Sequence, residues 1–406
     1  MVLVTSLAPR VSQLSVTPVV LVGEGGVSVL PKIIDHAVVV SGAVAGPASP
    51  WKALRASRSL TVGENAGLTR GSGWRRSDDD VAVLEVAGRF GAMMTRQARD
   101  TFYRGVESTS AKRLTFMSDA RLLQRTTNLR WAGSVLWPTA AGMRAARLHE
   151  GLAPLGAPEM PTDERMGHRL LVVDWAIQHA AGFDQIVTER EFLKLERGGD
   201  PEIAERFVQQ LGVSTRGVRD SMGRLRWFGF PLAGGAGLHF PDVFAVSGGG
   251  LRAIEMEVSP KNPARVKQTL FAYRRAFQAG QLQAVDWYVT PAVRAMFEGY
   301  QGLDGKWRDG LLVGAGFAAA GEVPDWSTPG SPIRLLDITP ADDGLQYYTH
   351  QRVLPRGLRR DFAEWQFWRA QWHTHTTSGS VAARSFVDWV CDPRVEKMLT
   401  AAYRRP

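Results

Sequence analysis

The stretch PDVFAVSGGGLRAIEMEVSPK, residues 241–261, decides the fold of the larger part of the chain. Two runs rich in apolar and β-branched residues, His239–Val246 and Leu251–Val258, flank Ser247 and three consecutive glycines. Strand-forming runs separated by a short Gly-rich segment are typical of a β-hairpin. The sequence therefore predicts a hairpin at the centre of this part of the chain.

Helical and strand patterns alternate on both sides of this hairpin. Such alternation is typical of an α/β domain, and we expect one over residues 162–300. A C-terminal extension, residues 301–406, follows; its aromatic helix is expected to pack on the α/β domain. The flanking elements are predicted as helices at 165–181, 201–211, 263–279 and 292–300, and as strands at 185–193 and 284–290.

A different pattern begins at Ser77, which precedes three aspartates and an apolar run. A capping residue followed by acidic residues is a helix-start signature. Three short helices, two short strands and a further helix are predicted in turn, which is the order of a winged helix-turn-helix. We therefore expect a winged-helix domain over residues 73–150, after a largely irregular tail or linker at residues 1–72.

Charge is unevenly distributed along the chain, which has 49 Lys and Arg against 40 Asp and Glu. Residues 89–147 carry eleven cations and three acids, whereas residues 151–300 carry seventeen of each. A local cationic excess on a winged helix favours double-stranded DNA as the partner; a protein-interaction module with a solvated Arg face is the alternative. The residues predicted to bind DNA are Arg96, Thr109, Ser110, Lys112, Arg113, Arg125 and Arg130.

Carboxylates cluster in the predicted hairpin. Asp242 begins one strand, and Glu255 and Glu257 share one face of the other because side chains alternate along a strand. Clustered carboxylates attract divalent cations, so Asp242 and Glu255 are candidate ligands of Mg²⁺ or Mn²⁺. The alternative is that these carboxylates form ion pairs in a noncatalytic site.

The spacing resembles the PD-(D/E)XK nuclease core, in which Pro-Asp on one strand is followed by Glu-x-Lys on the next. Glu257 stands where that pattern has its Lys. Lys261 or Lys267 could bring an ammonium group back to the site. The resemblance implies a restriction-endonuclease-like α/β domain with Asp242, Glu255, Glu257 and Lys261 as catalytic residues if it is active, and the missing Lys favours a degenerate site.

Several segments together resemble the replication-relaxation family of plasmids and other mobile elements. They are the run from Asp80 to Gly142, with LQR at 123–125 and WPTAAG at 137–142, GHRLLVVD at 167–174, PD at 241–242, IEMEVSPK at 254–261, and Tyr273. The resemblance implies association with plasmid replication or with DNA relaxation during transfer, and replication or transfer proteins as partners.

Composition limits the remaining possibilities. A single cysteine, Cys391, excludes an intrachain disulfide framework, and the absence of a recognisable signal segment or apolar span predicts a cytoplasmic protein without a membrane partner. We expect a DNA-binding accessory protein rather than an enzyme, with no certain cofactor. The alternatives are an Mg²⁺- or Mn²⁺-dependent endonuclease and a transcriptional repressor whose α/β domain forms a homodimer.

Two further features are weaker candidates. His168 heads an apolar helix, where a cap or a core contact is the commoner role of a single histidine. Phe362, Trp365, Trp368 and Trp372 recur at helical spacing beside arginines. Packing explains such a stripe, and stacking on single-stranded DNA is the alternative.

Overall fold

The structure is a computed structural model, and it describes residues 21–23, 26–28, 76–127, 129–160, 163–198, 200–233, 237–302, 304–320, 324–377 and 385–403. The chain divides into two compact units, Met1–Pro47 and Ala48–Pro406. In the first unit the described residues form an antiparallel hairpin of β1 (Leu21–Gly23) and β2 (Gly26–Ser28). The rest of the predicted tail at residues 1–72 lies outside the described residues.

The second unit mixes helices and sheets, which confirms the predicted α/β class. It begins with a helical region. Ser77 caps the first helix by accepting a hydrogen bond from the Asp80 backbone N–H at 3.3 Å, and Gly91 ends this helix in the left-handed conformation with φ of 92°. The elements of this region are α1 (Asp78–Phe90), β3 (Met93–Met94), α2 (Thr95–Phe102), α3 (Glu107–Asp119), β4 (Leu123–Thr126), β5 (Val135–Pro138) and α4 (Ala140–Ala145).

The three strands of the helical region form one small antiparallel sheet, in the order β3-β5-β4. Helix α3 packs on this sheet with Leu114 and Met117, and Leu122 follows in the loop before β4. All three side chains are buried. The opposite side of α3 is consequently left to solvent.

A five-stranded sheet forms the centre of the rest of the unit. Its strands, in the order in which they lie side by side, are β16 (Ile333–Asp337), β13 (Ala284–Val289), β12 (Gly250–Glu257), β11 (Val243–Ser247) and β6 (Gln185–Thr188). Strands β12, β13 and β16 are parallel, and β11 is antiparallel to both of its neighbours. The predicted hairpin is thus present as β11 and β12. The helices of this part of the unit are α5 (Asp163–His179), α6 (Glu189–Arg197), α7 (Pro201–Gln210), α8 (Pro263–Gln278) and α9 (Pro291–Glu298).

One prediction in this region is wrong: the strand expected over residues 185–193 ends at Thr188. Thr188 and Glu191 form a capping box, in which the Glu191 carboxylate accepts from the Thr188 backbone N–H at 2.9 Å. Such a box starts a helix, so residues 189–197 become α6. The apolar residues of this segment, Phe192 and Leu195, are buried at helical spacing.

The central sheet is covered on both faces, and its alternating residues enter two hydrophobic clusters. Val243 and Ile254 belong to a cluster that also contains Leu84 and Met93 from the helical region and Leu170 from α5. The neighbouring residues on the other face pack with α6, α8 and β13, through side chains that include Phe192, Phe244, Ala253, Tyr273 and Trp287. The core is therefore continuous between the helical region and the central sheet.

The segment that joins the two regions contributes to this core through the buried side chains of Ala153 and Leu155. A buried ion pair also joins the two regions: Arg89 Nε on α1 lies 2.9 Å from Glu191 Oε1 on α6. The helical region and the α/β region are thus packed as one compact unit.

Smaller elements complete the described part of the second unit. The C-terminal helices form their own hydrophobic cluster, in which Trp365, Trp368, Phe386 and Trp389 are buried. The aromatic helix at residues 362–377 therefore packs against its neighbouring helices. The remaining elements of the described part of the second unit are β7 (Val218–Arg219), β8 (Leu225–Arg226), β9 (Phe230–Pro231), β10 (Leu238–His239), β14 (Gly299–Gln301), β15 (Trp307–Asp309), α10 (Leu311–Gly314), α11 (Asp343–Val353), α12 (Phe362–Thr377), α13 (Phe386–Val390) and α14 (Pro393–Tyr403).

Candidate functional site

The predicted acidic residues meet at one edge of the central sheet. Strands β6, β12, β13 and β16 all run in the same direction, because β11 is antiparallel to both β6 and β12. Their carboxyl ends therefore share an edge. Asp242 precedes β11 at this edge, and its backbone N–H donates to the Ile254 carbonyl at 3.1 Å, which places it opposite Glu255 as the hairpin register predicts. We call the group of carboxylates at this end of the sheet the acidic edge. It consists of Asp242, Glu255, Glu257, and Glu189 at the start of α6.

Asp242 is held by two donors. Its Oδ1 lies 2.8 Å from His168 Nε2 on α5, and its Oδ2 accepts from the Met256 backbone N–H at 2.7 Å. Burial alone would raise the pKa of Asp242, but the nearby His168 charge and these hydrogen bonds lower it overall. Burial alone would lower the pKa of His168, and Asp242 reverses that effect, so the His168 pKa is raised. The two side chains thus stabilise each other's charged forms.

Glu255 is enclosed by a histidine and a tyrosine. His239 Nε2 lies 2.5 Å from Glu255 Oε1, and the hydroxyl of Tyr273 on α8 donates to the same oxygen. His239 Nε2 is also 3.1 Å from the Tyr273 hydroxyl, which closes the group. Burial and the Glu255 charge both raise the pKa of Tyr273 well above its ordinary value, so this hydroxyl stays protonated and donates.

Glu257 is paired with Lys261, whose Nζ lies 2.6 Å from Glu257 Oε2. Burial raises the pKa of Glu257 despite the lysine, and Glu255 and Asp242 add repulsion. Lys261 therefore does bring an ammonium group to the acidic edge. Lys267, the other predicted substitute, instead lies with its Nζ 5.7 Å from the ring centre of Phe271 on α8.

The two glutamates of α6 have different roles. Glu191 is buried, and it binds Arg89 and the capping Thr188. Glu189 is exposed at the acidic edge, where desolvation and then the charge of Asp242 raise its pKa. The Thr-x-x-Glu spacing at residues 188–191 is the signal in the sequence that could have assigned Glu191 to a helix cap.

A divalent cation does not fit the acidic edge as it is arranged. Carboxylate oxygens are suitable ligands for Mg²⁺ or Mn²⁺ by type. Among the described residues, however, no three His, Cys, Asp or Glu side chains are placed to hold a metal ion. Protein donors already contact both oxygens of Asp242, Oε1 of Glu255 and Oε2 of Glu257, so a cation bound through those oxygens would have to displace them.

The surface of α3 contains only part of the predicted DNA-binding set. Thr109 and Lys112 are exposed. Ser110 is 1% exposed, and its hydroxyl donates to the Glu107 carbonyl at 2.9 Å. Ser110 is therefore an interior residue of the helix.

Arg113, next to Lys112, is bound inside the helical region. Its Nε donates to Asp80 Oδ1 at 3.0 Å, and Asp80 is fully buried. The hydrogen bond to Asp80 is the main cause of a raised Arg113 pKa. Tyr103 also donates to Asp80, at 2.9 Å. Arg113 thus neutralises a buried acid, which the residue pattern of α3 does not reveal.

The β4–β5 hairpin lies beside α11 in the C-terminal region. Arg96 forms an ion pair with Asp342 and donates to the Trp131 carbonyl at 2.9 Å. The Trp131 ring stacks on Tyr348 of α11 with 5.5 Å between ring centres, so Trp131 is a packing residue rather than a free hairpin tip. Arg125 and Arg130 remain exposed.

A further exposed cation, Arg121, was missed in the sequence. It lies between α3 and β4 in the left-handed conformation, with φ of 55°. The exposed cations of α3, of the loop after it and of the β4–β5 hairpin are therefore Lys112, Arg121, Arg125 and Arg130. Among the described residues, none of these four has an ion-pair partner.

The weaker sequence candidates are mostly packing residues. Trp365 and Trp368 are 2% and 1% exposed, so neither can stack on a nucleic-acid base. His350 Nδ1 accepts from Trp365 Nε1 at 3.2 Å, and burial, together with the nearby Arg369 charge, lowers its pKa to about 4. His168 is the exception, because it contacts Asp242 directly.

None of the described helices has both the length and the apolar content that crossing a membrane requires. Comparisons with protein-family models, with curated proteins and with solved structures found no match for the chain. Two features of the molecule are therefore candidates for function. They are the exposed cations around α3 and the acidic edge, whose carboxylates contact protein donors.

Proposed function

We propose that the chain binds double-stranded DNA through a winged helix formed by residues 77–148, as a DNA-binding accessory protein of the replication-relaxation type. The observation that carries the proposal is the set of exposed, unpaired cations on α3, the following loop and the β4–β5 hairpin. The element order α1-β3-α2-α3-β4-β5 agrees with that of winged helix-turn-helix domains. In such domains the third helix lies in the major groove.

The roles of individual residues follow from what remains exposed. Thr109 and Lys112 lie on the outer side of α3, where they can reach base edges or phosphates. Arg121, Arg125 and Arg130 can contact the flanking phosphates. Arg96 and Arg113 are assigned to folding instead, because each is bound to a carboxylate of the protein.

For the α/β region we propose a noncatalytic, nuclease-like scaffold. The elements α5, β6, β11, β12, α8 and β13 follow in this order along the chain, with α6, α7 and four short strands between β6 and β11. This order, with Asp242 opposite Glu255, supports the likeness to the PD-(D/E)XK core. Glu257 in the lysine position and the engagement of all three carboxylates support the absence of catalysis. Its role is then to position the winged helix or a partner protein.

A salt-dependent binding experiment tests the proposal. Replacing Lys112, Arg125 and Arg130 together by Ala should weaken binding to a mixed-sequence duplex. The slope of log affinity against log salt should become less steep by roughly 2–3, since each phosphate contact on duplex DNA contributes about 0.9. The matched control removes three other exposed cations, Arg206, Arg394 and Lys397. Equal losses in the two triple variants would contradict the winged-helix assignment.

A further inference from the structure

Two exposed aromatic rings lie on a short hairpin that the sequence analysis did not single out. Tyr300 on β14 is 54% exposed and Trp307 on β15 is 40% exposed. Tyr300 pairs with Arg308 across the hairpin, and Gln301 pairs with Trp307. Because side chains alternate between the faces of a sheet, each face of the hairpin presents one ring. The chain thus exposes aromatic rings here, whereas the tryptophans of α12 are buried.

The hairpin is held in a defined shape. The Gly302 backbone N–H donates to the Lys306 carbonyl at 2.8 Å, and Gln301 Nε2 donates to the Gly305 carbonyl at 3.0 Å. At its base, Gly299 has φ of 106°, and a Cβ there would lie 2.3 Å from the Arg308 carbonyl oxygen. These hydrogen bonds and the close packing at Gly299 support the pairing of β14 with β15, on which the two rings lie.

A cationic helix lies beside this hairpin. Helix α8 contains no acidic residue, and its exposed cations are Arg265, Lys267, Arg274 and Arg275. Short helix α10 connects the two features, since it contacts both α8 and β15. Arg274 Nη1 donates to the Ala315 carbonyl just after α10 at 3.1 Å, and Lys267 lies beside Gly314. Helix α10 thus lies against both the strand β15 of the hairpin and α8, on the side of Lys267 and Arg274.

The cations of α8 are exposed, and Arg274 and Arg275 donate to the backbone carbonyls of Ala315 and Pro231, which do not neutralise their charge. Among the residues that the structure describes, none of the four forms an ion pair with a carboxylate. On the hairpin itself, by contrast, Asp304 Oδ2 lies 3.7 Å from Arg308 Nη2 and partly neutralises it. Electrostatic attraction for phosphate therefore comes mainly from α8, and aromatic surface comes from the hairpin.

We infer that α8 and the β14–β15 hairpin form a binding surface for single-stranded nucleic acid, distinct from the proposed duplex-binding surface around α3. Unpaired bases expose faces that can stack on Tyr300 on one face of the hairpin and on Trp307 on the other, with the strand passing around the hairpin between them. A duplex hides those faces within its own stack. The cations of α8 bind the phosphates of the same strand. Clustered phosphate-binding cations beside exposed rings are the combination that sequence-tolerant single-strand binding uses.

The test measures binding of the full chain to a fluorescent 20-nucleotide oligothymidylate and to a 20-base-pair duplex. Replacing Tyr300 and Trp307 together by Ala should weaken oligothymidylate binding about tenfold or more, within the range of base stacking on aromatic side chains. Replacing both by Phe should retain most of the affinity, because the rings remain. Duplex affinity should be unchanged in both variants.

A second variant tests the cations without touching the rings. Replacing Lys267, Arg274 and Arg275 by Gln should weaken the salt dependence of oligothymidylate binding. The slope of log affinity against log salt should become less steep by roughly 2, since each phosphate contact on a single strand contributes about 0.7. Replacing Arg206, Arg394 and Lys397 by Gln is the charge-matched control. Circular dichroism checks that each variant is folded.

The outcomes separate this inference from the proposed duplex binding. Both proposals are supported if duplex affinity is lost only in the Lys112, Arg125 and Arg130 variant and oligothymidylate affinity is lost only in the α8 and hairpin variants. If duplex binding is absent but oligothymidylate binding still depends on the hairpin rings, the proposed function fails and the single-strand surface stands. Oligothymidylate binding that is absent, or that ignores the rings and the α8 cations, overturns the inference.

Discussion

The helical region and the acidic edge differ in how they use their charged residues. On α3 the neighbours Lys112 and Arg113 have separate roles: Lys112 is exposed, and Arg113 is bound to the buried Asp80. At the acidic edge Asp242, Glu255 and Glu257 all contact protein donors. The capacity of a charged cluster to bind a ligand thus depends on what the fold leaves unpaired, and the number of charges alone does not measure it.

The largest effect on stability is expected for Arg113, in contrast to its neighbour Lys112. Arg113→Ala should lower the free energy of unfolding by about 3–5 kcal/mol, because it leaves the Asp80 charge buried without its cation. Lys112→Ala should change stability by no more than about 0.5 kcal/mol, as is usual at exposed positions. Urea denaturation of both variants measures the contrast. Similar stability losses for the two variants would mean that the Arg113 contact does not support the fold.

A smaller effect is expected from the pair of His168 and Asp242. The raised pKa of His168 means that its contribution is complete below the ordinary histidine pKa of about 6.5 and is lost as pH rises through the folded value. The lowered pKa of Asp242 means that its contribution is complete above about 3.9 and is lost as pH falls through the folded value. The pair therefore stabilises the fold most between about pH 4 and 6.5.

His168→Asn tests this pH dependence. Both side chains keep some solvent contact, so the variant should lose about 1 kcal/mol of stability at pH 5.5, the upper end for partly exposed pairs. The loss should be smaller at pH 8.5, because the contribution of the charged His168 declines as pH rises through its raised pKa. Denaturation of the wild type and the variant at the two pH values gives the difference. An equal loss at both would show that His168 acts through packing alone.

Local pattern predicted much of the fold. Alternation of apolar residues and the three glycines predicted the β11–β12 hairpin and placed Asp242 opposite Glu255. Ser77 followed by three aspartates predicted the start of α1, where Ser77 is the N-cap residue. These features depend on residues that are near in sequence or paired across a short turn, so the sequence carries them directly.

The remaining features depend on contacts between residues distant in sequence. Arg96 and Asp342 are 246 positions apart, and Arg89 and Glu191 are 102 apart, so no local pattern marks either arginine as internal. Likewise, the rings of Trp365 and Trp368 are buried by helices that follow later in the chain. The exposed Tyr300 and Trp307 were missed because two isolated aromatic residues in a short hairpin leave no periodic signal.

The smallest effect, none at all, is expected for nuclease activity at the acidic edge. In the PD-(D/E)XK pattern the lysine of Glu-x-Lys orients the attacking water and offsets negative charge on the phosphate. Glu257 in that position adds a negative charge, and Lys261 is bound to Glu257 with 2.6 Å between Nζ and Oε2. His239 and Tyr273 further occupy Oε1 of Glu255. Purified protein and its Asp242→Ala variant should therefore leave plasmid DNA equally intact in Mg²⁺ or Mn²⁺. Cleavage that requires Asp242 would show that a cation can displace these contacts, and loss of that cleavage in Lys261→Ala with unchanged DNA affinity would assign Lys261 the role of the missing lysine.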